Sequence, residues 1–217
     1  MGTVPHELII VMGDQVEAWK AFDEVMPPDV PRIALVDTSY DENVEAVMAA
    51  EALGERLYGV RLDTPGSRKG DFAKIVREVR WELDVRGYRH VKIFVSGGVD
   101  EDNIVELARA GADGFGVGTA VSNAPTVDFA MDIVEIGGRP VAKRGKFGGR
   151  KVVWRCPECL VDVVTPRGGR EPKCPHCGGE MEEVLVKFIE EGRMVRDLPK
   201  PSEIRDYVLS QIGKVGL

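Results

Sequence analysis

Short apolar runs alternate with amphipathic segments along residues 31–121 of the chain. Ile33–Val36, Leu57–Leu62 and Val91–Val95 are too short for helices and rich in β-branched and aromatic residues, so they predict buried strands. Gly114–Val117 predicts a fourth strand. The segments between and after these runs predict helices whose apolar faces are Val44, Val47, Met48 and Ala52, then Phe72, Ile75, Val76, Val79 and Leu83, then Ile104, Leu107 and Ala108. Alternating strands and helices indicate an α/β fold with a parallel sheet.

Two apolar segments precede the first strand. Periodicity does not assign Glu7–Met12 to helix or strand, but Pro5 suits a first helical turn and favours a helix. The segment Gln15–Met26 predicts an amphipathic helix that ends before Pro27. Its expected inner face is Val16, Trp19, Phe22 and Val25.

The pattern changes after Pro125. Residues 128–143 predict a β-hairpin around Gly137-Gly138, and residues 143–151 form a basic, glycine-rich connector. Short strands are expected at 152–155 and 161–164, a last hairpin within 182–195, and a helix over 202–212 capped by Ser202. We therefore predict two parts: a partial (β/α) barrel with a trailing hairpin at 1–145, and a small β-rich module with a C-terminal helix at 146–217.

The predicted strand–helix units are too few for a closed barrel. A closed eightfold barrel needs about 200 to 250 residues. Only four strand–helix units are found between Pro31 and Val121. Either half of a barrel is missing or the sheet is open.

Composition narrows the class of protein. The 217 residues are 43% hydrophobic and 30% charged, which is typical of a globular protein. The sequence contains no apolar run long enough for a membrane span and no signal-peptide pattern, so a cytoplasmic protein is expected. A net charge of −7 argues against a general nucleic-acid surface. Two Gln and three Asn against 65 charged side chains resemble the balance in heat-adapted proteins.

The four cysteines form two pairs with the spacing of a metal site. Cys156 and Cys159 are one Cys-x-x-Cys, and Cys174 and Cys177 are the other, fourteen residues later. Each turn aims two thiolates at one cation, so we predict a structural, tetrahedral Zn²⁺ site in a zinc-ribbon module. His176 lies inside the second turn and is a poor substitute ligand.

Glycine turns follow the third and fourth predicted strands. Ser96-Gly97-Gly98 and Gly118-Thr119 allow backbone N–H groups to approach a ligand, and a helix with Asp100 as N-cap would point its positive end at the first turn. Barrel enzymes commonly bind phosphate at two adjacent turns of this kind. The alternative is two ordinary turns that need glycine. A dinucleotide loop at 114–118 is disfavoured because no helix is expected directly after it.

Charged residues follow the first two strands. Asp37 and Asp41 come after the first, and Arg61 and Asp63 end the second. In a parallel sheet these strand ends meet at one edge, beside the glycine turns. Carboxylates can hold ribose hydroxyls or Mg²⁺, and arginine pairs with phosphate, so the combination predicts a site for a phosphorylated sugar.

Five motifs in this order resemble the archaeal-type nicotinate phosphoribosyltransferases, from residue 2 to about residue 195. The motifs are Gly2-Thr-Val-Pro-His6, Val36-Asp-Thr-Ser-Tyr-Asp41, Val60-Arg-Leu-Asp-Thr-Pro-Gly-Ser-Arg68, Val95-Ser-Gly-Gly-Val-Asp100 and Phe115-Gly-Val-Gly-Thr119. The cysteine module looks like that family's C-terminal zinc knuckle. The resemblance implies an irregular (β/α) barrel of the type II phosphoribosyltransferase kind.

The resemblance also implies a reaction and residue roles. Phosphoribosyl would pass from 5-phosphoribosyl 1-diphosphate to nicotinate, giving nicotinate mononucleotide and diphosphate in NAD salvage, with ATP as co-substrate and Mg²⁺. His6, otherwise a lone histidine of the kind that is more often structural or exposed, resembles the histidine that ATP phosphorylates. Arg61 and Asp63 match the pair that grips the ribosyl substrate, with Asp37 and Asp41 beside them. The turn residues Ser96, Gly97, Gly98, Gly118 and Thr119 fall where the family holds the 5′-phosphate.

Family members carry an N-terminal domain and the first barrel strands ahead of the Gly-Thr-x-x-His motif. The chain begins at that motif, so we expect a truncated or split form that is inactive alone, and either association with an N-terminal part or a homo-oligomer with shared sites. Two alternatives stay open. One is a quinolinate or nicotinamide phosphoribosyltransferase, and the other is a non-enzymatic remnant whose basic ribbon binds RNA or a protein.

Overall fold

The computed structural model describes residues 3–215, and Gly2 of the first motif therefore lies outside the described residues. The chain divides into two compact units, Met1–Val127 and Asp128–Leu217. The hairpin that the sequence grouped with the first part therefore lies in the second unit, and the boundary at 145 stays a prediction. In residues 3–215 no helix combines the length and apolar character that crossing a bilayer requires.

The first unit is built on a four-stranded sheet whose strands are all parallel and lie in the order β1-β2-β3-β4. The strands are β1 Arg32–Leu35, β2 Leu57–Leu62, β3 Lys92–Val95 and β4 Gly114–Phe115. This confirms the predicted α/β fold with a parallel sheet. The fourth strand is shorter than predicted, since only Gly114 and Phe115 pair with β3.

Helices connect the strands of this unit. They are α1 His6–Met12, α2 Gln15–Val25, α3 Glu42–Leu53, α4 Gly66–Lys69, α5 Phe72–Val85, α6 Ile104–Ala110 and α7 Thr119–Ser122. The longer helices contact one another in chain order, α1 with α2, α2 with α3, α3 with α5 and α5 with α6. The main hydrophobic core includes Trp19, Val60, Val79 and Ile93, all fully buried. The helix favoured for the segment after Pro5 is confirmed.

Three predicted helix faces each include a residue that the structure leaves exposed. Val25 is 75% exposed because the helix ends there. In α3 the buried residues are Glu45, Ala46, Ala49, Ala50 and Leu53, while Val44 is 45% exposed. The apolar stripe was misplaced because the residues that contact the core of this helix are small alanines, which pattern analysis weights less than valine. Ala108, expected on the inner face of α6, is also exposed.

Two helix starts also differ from the prediction. Asp100 does not cap α6, which begins at Ile104 after a turn in which the Asp100 Oδ1 accepts hydrogen bonds from the N–H groups of Asp102 and Asn103. A one-turn helix, α7, does begin directly at Thr119, although none was expected there.

The second unit consists of small sheets and one helix. Its strands are β5 Glu135–Ile136, β6 Arg139–Pro140, β7 Lys151–Arg155, β8 Asp162–Pro166, β9 Glu182–Glu183, β10 Ile189–Glu190 and β11 Arg193–Met194. The predicted hairpin over 128–143 is reduced to β5 and β6. β8, β7 and β9 form a three-stranded sheet, and β10 pairs with β11. The final helix, α8 Pro201–Val215, begins before Ser202, so Ser202 is not its cap.

Candidate functional site

Asp37 links the ends of the first two strands of the parallel sheet. Its side chain is 2% exposed, and its Oδ2 accepts a hydrogen bond from the backbone N–H of Asp63 at 2.6 Å. Its Oδ1 lies 2.9 Å from Nε2 of His6, the first residue of α1. Burial raises the pKa of Asp37, while the Asp63 N–H and His6 oppose that shift. The structure therefore joins His6, Asp37 and Asp63 in one chain of contacts.

Arg61 forms the centre of a second set of contacts. Its Nε donates to Oγ of Ser96 at 2.9 Å, its Nη2 to Oδ2 of Asp63 at 2.9 Å, and its Nη1 to Oγ1 of Thr3 at 2.8 Å. Ser96 in turn donates to Oδ1 of Asp63 at 2.8 Å. Arg61, Asp63 and Ser96 thus form a closed triangle of hydrogen bonds. Such a triangle fixes the guanidinium and carboxylate before any ligand arrives.

A cavity of about 460 Å³ lies against this triangle. It is lined by Thr3, Arg61, Asp63, Phe94, Val95, Ser96, Gly97, Gly98, Phe115, Gly116, Val117, Gly118 and Thr119. Seven of the nine residues that the sequence assigned to the sugar site therefore line one cavity: Arg61, Asp63, Ser96, Gly97, Gly98, Gly118 and Thr119. His6 and Asp37 reach the same group through Asp63.

The turn at Gly97 and Gly98 needs glycine for its backbone conformation. The two residues have φ of +77° and +78°, which side chains other than glycine rarely adopt. A Cβ on Gly97 would also come within 3.0 Å of Oδ1 of Asp63. Within residues 3–215 the N–H groups of Gly97 and Gly98 have no hydrogen-bond acceptor. The turn therefore offers free backbone donors at the cavity, as binding of an anion requires.

Asp41 has a different position. Its side chain accepts from the N–H of Val44 and caps α3, and it does not line the cavity. Its role in sugar binding stays a prediction, and the cap accounts for an aspartate here without a ligand.

The sequence reasoning missed Glu45, which is fully buried in the first turn of α3. Its carboxylate accepts hydrogen bonds from the N–H groups of Thr38, Ser39 and Tyr40, at 3.1, 2.6 and 2.8 Å. These bonds hold the loop that follows Asp37. A helical projection would have indicated it, because Glu45 shares the spacing of Ala49 and Leu53 on the buried face.

Two further residues at the site were also missed. Thr3 holds Arg61, although the sequence reasoning used it only as part of a motif. Lys69 donates from Nζ to the carbonyl oxygen of Gly97. The available signal was the basic pair Arg68-Lys69, which follows the Thr64-Pro65-Gly66 turn by one residue.

The four cysteines of the second unit come together. Their Sγ atoms all lie within 4.8 Å of one another, with Cys156–Cys177 at 3.6 Å, Cys159–Cys174 at 3.3 Å and Cys159–Cys177 at 3.9 Å. These distances are too long for disulfides and close to the edge of about 3.8 Å that a tetrahedron with Zn–S bonds near 2.3 Å requires. The N–H of Cys177 lowers the pKa of Cys174 to about 6, which favours a thiolate there, whereas the hydrogen bond with Cys174 raises the pKa of Cys159. The four residues can therefore bind a metal ion such as zinc.

Known proteins resemble this chain both in sequence and in fold. Residues 1–132 match the family described as quinolinate phosphoribosyl transferase, C-terminal domain. The crystal structure of nicotinate-nucleotide pyrophosphorylase from Pyrococcus furiosus superposes with a TM-score of 0.93 and 58% identity, over 100% of this chain and 55% of that chain.

Curated relatives are named nicotinate phosphoribosyltransferase. The pncB2 protein of Mycobacterium tuberculosis is 34% identical over 97% of this chain and 46% of its own length, and the Dictyostelium discoideum protein is 26% identical over 84% and 39%. The chain thus spans about half the length, or less, of these relatives. By its match over residues 1–132, the chain belongs to the quinolinate phosphoribosyl transferase C-terminal domain family.

Proposed function

We propose that this chain carries the ribosyl-phosphate site of an enzyme that transfers phosphoribosyl from 5-phosphoribosyl 1-diphosphate to nicotinate. The observation that carries the proposal is the triangle of Arg61, Asp63 and Ser96 on the wall of a cavity edged by two glycine turns. The names of the relatives support nicotinate and NAD salvage. Because the chain spans about half of those relatives, the complete reaction belongs to this proposal.

The chemistry suits these residues. The bond between C1 of the ribose and the diphosphate oxygen breaks, diphosphate leaves with the electron pair, and the pyridine nitrogen of nicotinate forms the new bond to C1. The fixed Asp63 carboxylate stabilises the positive charge that develops on the sugar, and Arg61 neutralises part of the departing negative charge. Asp63, which lines the cavity, is the hard oxygen donor that would hold Mg²⁺, and the ion would supply further neutralisation of the diphosphate.

His6 is the residue we propose for phosphorylation by ATP. An ionised Asp37 accepts from Nε2–H, which leaves the lone pair of a neutral imidazole on Nδ1. That lone pair forms a bond to the γ-phosphorus of ATP while the bond to ADP breaks. The His6 side chain is 34% exposed, so its open side is accessible to a nucleotide.

The family description favours quinolinate as a second candidate substrate. The His6–Asp37 pair favours nicotinate, because the resemblance to nicotinate phosphoribosyltransferases implies an ATP-linked histidine at His6, which quinolinate phosphoribosyltransferases do not use. Product analysis with nicotinate, nicotinamide and quinolinate separates these possibilities.

In the second unit we propose a structural Zn²⁺ held by Cys156, Cys159, Cys174 and Cys177. Within the described part of this unit, residues 128–215, the buried cluster around the site consists of Cys156, Cys174 and Met181, with a few partly buried hydrophobic residues against it. So small a core stabilises little structure without a cross-link or a metal.

Binding of 5-phosphoribosyl 1-diphosphate with Mg²⁺, measured by calorimetry, tests the site directly. Arg61→Met removes the bidentate donor and should weaken binding by about tenfold or more. Arg77→Met, on the exposed side of α5, is the matched control and should bind as the wild type does. A wild-type chain that binds no ribosyl diphosphate would overturn the proposal.

Phosphorylation and turnover form the second test. Labelled γ-phosphate should transfer to the wild type and to His90→Asn, whose histidine is exposed, but not to His6→Asn. Turnover should appear when the chain is combined with the part of the Pyrococcus furiosus protein that lies outside the match. Absence of product in that mixture, with all substrates saturating, would count against a split enzyme.

A further inference from the structure

Both carbonyl groups of the Gly97–Gly98 turn are held from outside the cavity. Nζ of Lys69 donates to the carbonyl oxygen of Gly97, and Nδ2 of Asn103 donates to that of Gly98 at 2.9 Å. Neither Lys69 nor Asn103 lines the cavity that Arg61, Gly97 and Gly98 share. The two side chains therefore approach the turn from its outer side.

The peptide geometry places a donor opposite Lys69. In a trans peptide the N–H points away from the carbonyl of the same unit, and the described residues contain no cis peptide. The N–H of Gly98 therefore points away from the Lys69 contact, and Gly98 lines the cavity. No acceptor for this N–H exists within residues 3–215. A cation on the carbonyl polarises the peptide and makes its N–H a stronger donor.

Lys69 is well placed to keep this charge at the turn. Its Nζ lies 4.4 Å from the centre of the Phe72 ring, which fixes the side chain. Partial burial lowers the pKa of Lys69, and the nearby carboxylates of Asp63 and Asp100 oppose that shift. In the part of the chain that the structure describes, Lys69 forms no direct ion pair with either carboxylate.

We propose that Lys69 is a positioning residue for phosphate: through the Gly97–Gly98 peptide, its ammonium strengthens the Gly98 N–H as a donor to a phosphate oxygen in the cavity. This inference rests on the proposed function, because it requires a phosphorylated ligand at this turn. It adds a residue from the outer side of the turn that the sequence did not assign to the site.

A variant series separates the charge of Lys69 from its mechanical hold on the turn. Lys69→Met removes both, Lys69→Gln retains a neutral donor, and Lys69→Arg retains the charge. Asn103→Ala loosens the turn without removing a charge. Lys74→Met is the matched control, because Lys74 is exposed and pairs with Asp71 outside the turn.

Titration of the 217-residue chain with ribose 5-phosphate gives the first readout. We expect about tenfold weaker binding for Lys69→Met and Lys69→Gln, recovery to within about threefold for Lys69→Arg, and about threefold weaker binding for Asn103→Ala. Lys74→Met should match the wild type. A residue that only held the turn in place would give Lys69→Gln near the wild type.

The amide proton of Gly98, followed by NMR without ligand, gives a readout that does not depend on the proposed function. It should move upfield in Lys69→Met and Lys69→Gln and stay near its wild-type position in Lys69→Arg. An unmoved Gly98 signal, or equal ribose 5-phosphate binding in wild type and Lys69→Met, would overturn this inference alone. A wild type that bound no ribosyl phosphate would overturn the proposed function as well.

Discussion

The imidazole of His6 and the carboxylate of Asp37 meet at 2.9 Å across 31 residues of sequence, and Asp37 is almost fully buried in making that contact. The contact ties the start of α1 to the end of β1. A histidine at the surface could take several orientations, whereas this contact fixes the orientation of the His6 side chain.

Asp37→Asn should change how stability depends on pH. Burial raises the folded-state pKa of Asp37 above 3.8, so the folded protein binds more protons than the unfolded chain just above that pH. The carboxyl therefore costs stability as pH rises from about 3.8 through the folded-state pKa. Urea unfolding from pH 3.5 to 7 should show the asparagine variant gaining stability relative to wild type across this window. A constant difference at every pH would contradict the raised pKa.

Ser96→Ala should weaken binding of 5-phosphoribosyl 1-diphosphate by about tenfold, because it removes the hydroxyl that bridges Arg61 and Asp63. Calorimetry measures the effect. Ser210→Ala, in the exposed helix α8, is the control and should leave affinity unchanged. Equal affinities for the two variants would show that the triangle does not preorganise the site.

Glu45→Gln should destabilise the chain by about 1–3 kcal/mol, because three N–H donors now face an amide with a single acceptor oxygen. Chemical unfolding measures the loss. Glu51→Gln changes an exposed glutamate of the same helix and should stay within about 0.5 kcal/mol of the wild type. A comparable loss in both variants would argue against the loop-holding role of Glu45.

Gly114→Ala should lower stability by about 1–3 kcal/mol, because the new Cβ would lie 2.7 Å from the Phe94 ring. The ring cannot retreat to the other side, where Gly59 gives it the same narrow clearance. Gly213→Ala has open space in the last turn of α8 and should raise helix stability by at most about 0.5–1 kcal/mol. Thermal unfolding of both variants tests the contrast, and a neutral Gly114→Ala would contradict the packing.

The four clustered cysteines predict the metal content of the chain. The purified chain should hold about one Zn²⁺ per molecule by elemental analysis, since four thiolates complete one tetrahedral site. A strong chelator should lower the melting temperature and release the metal. Cys174→Ser should lower zinc content, whereas His176→Asn should retain it. Full zinc content in Cys174→Ser would rule out the four-cysteine site.

The parallel sheet and the residues at its strand ends could be predicted because both follow from local pattern and one topological rule. Short β-branched runs separated by helices give a parallel sheet, and the ends of such strands meet at one edge, as Arg61, Asp63, Ser96 and Thr119 do.

The features that could not be predicted from the sequence depend on contacts that are seen only in the folded structure. In the sequence Glu45 looks like an ordinary helix glutamate, and only the structure shows that it accepts hydrogen bonds from the loop amides. The cap that Asp41 forms on α3 was likewise not predicted. The start of α6 was misjudged for the same reason, because Asp100 satisfies a turn before the helix begins.

The hydrogen bonds from the loop amides to Glu45 determine which backbone donors at this edge of the sheet are open to a substrate. At the first strand end the backbone donors are already satisfied by the chain's own carboxylate, whereas within residues 3–215 those of Gly97 and Gly98 have no acceptor. The edge of the sheet is therefore asymmetric, with the carboxylates of Asp37 and Asp63 after β1 and β2 and vacant donors after β3. The ribosyl phosphate that we propose as ligand would satisfy both ends in one orientation, with its 5′-oxygens over the glycines and its anomeric carbon toward the aspartates.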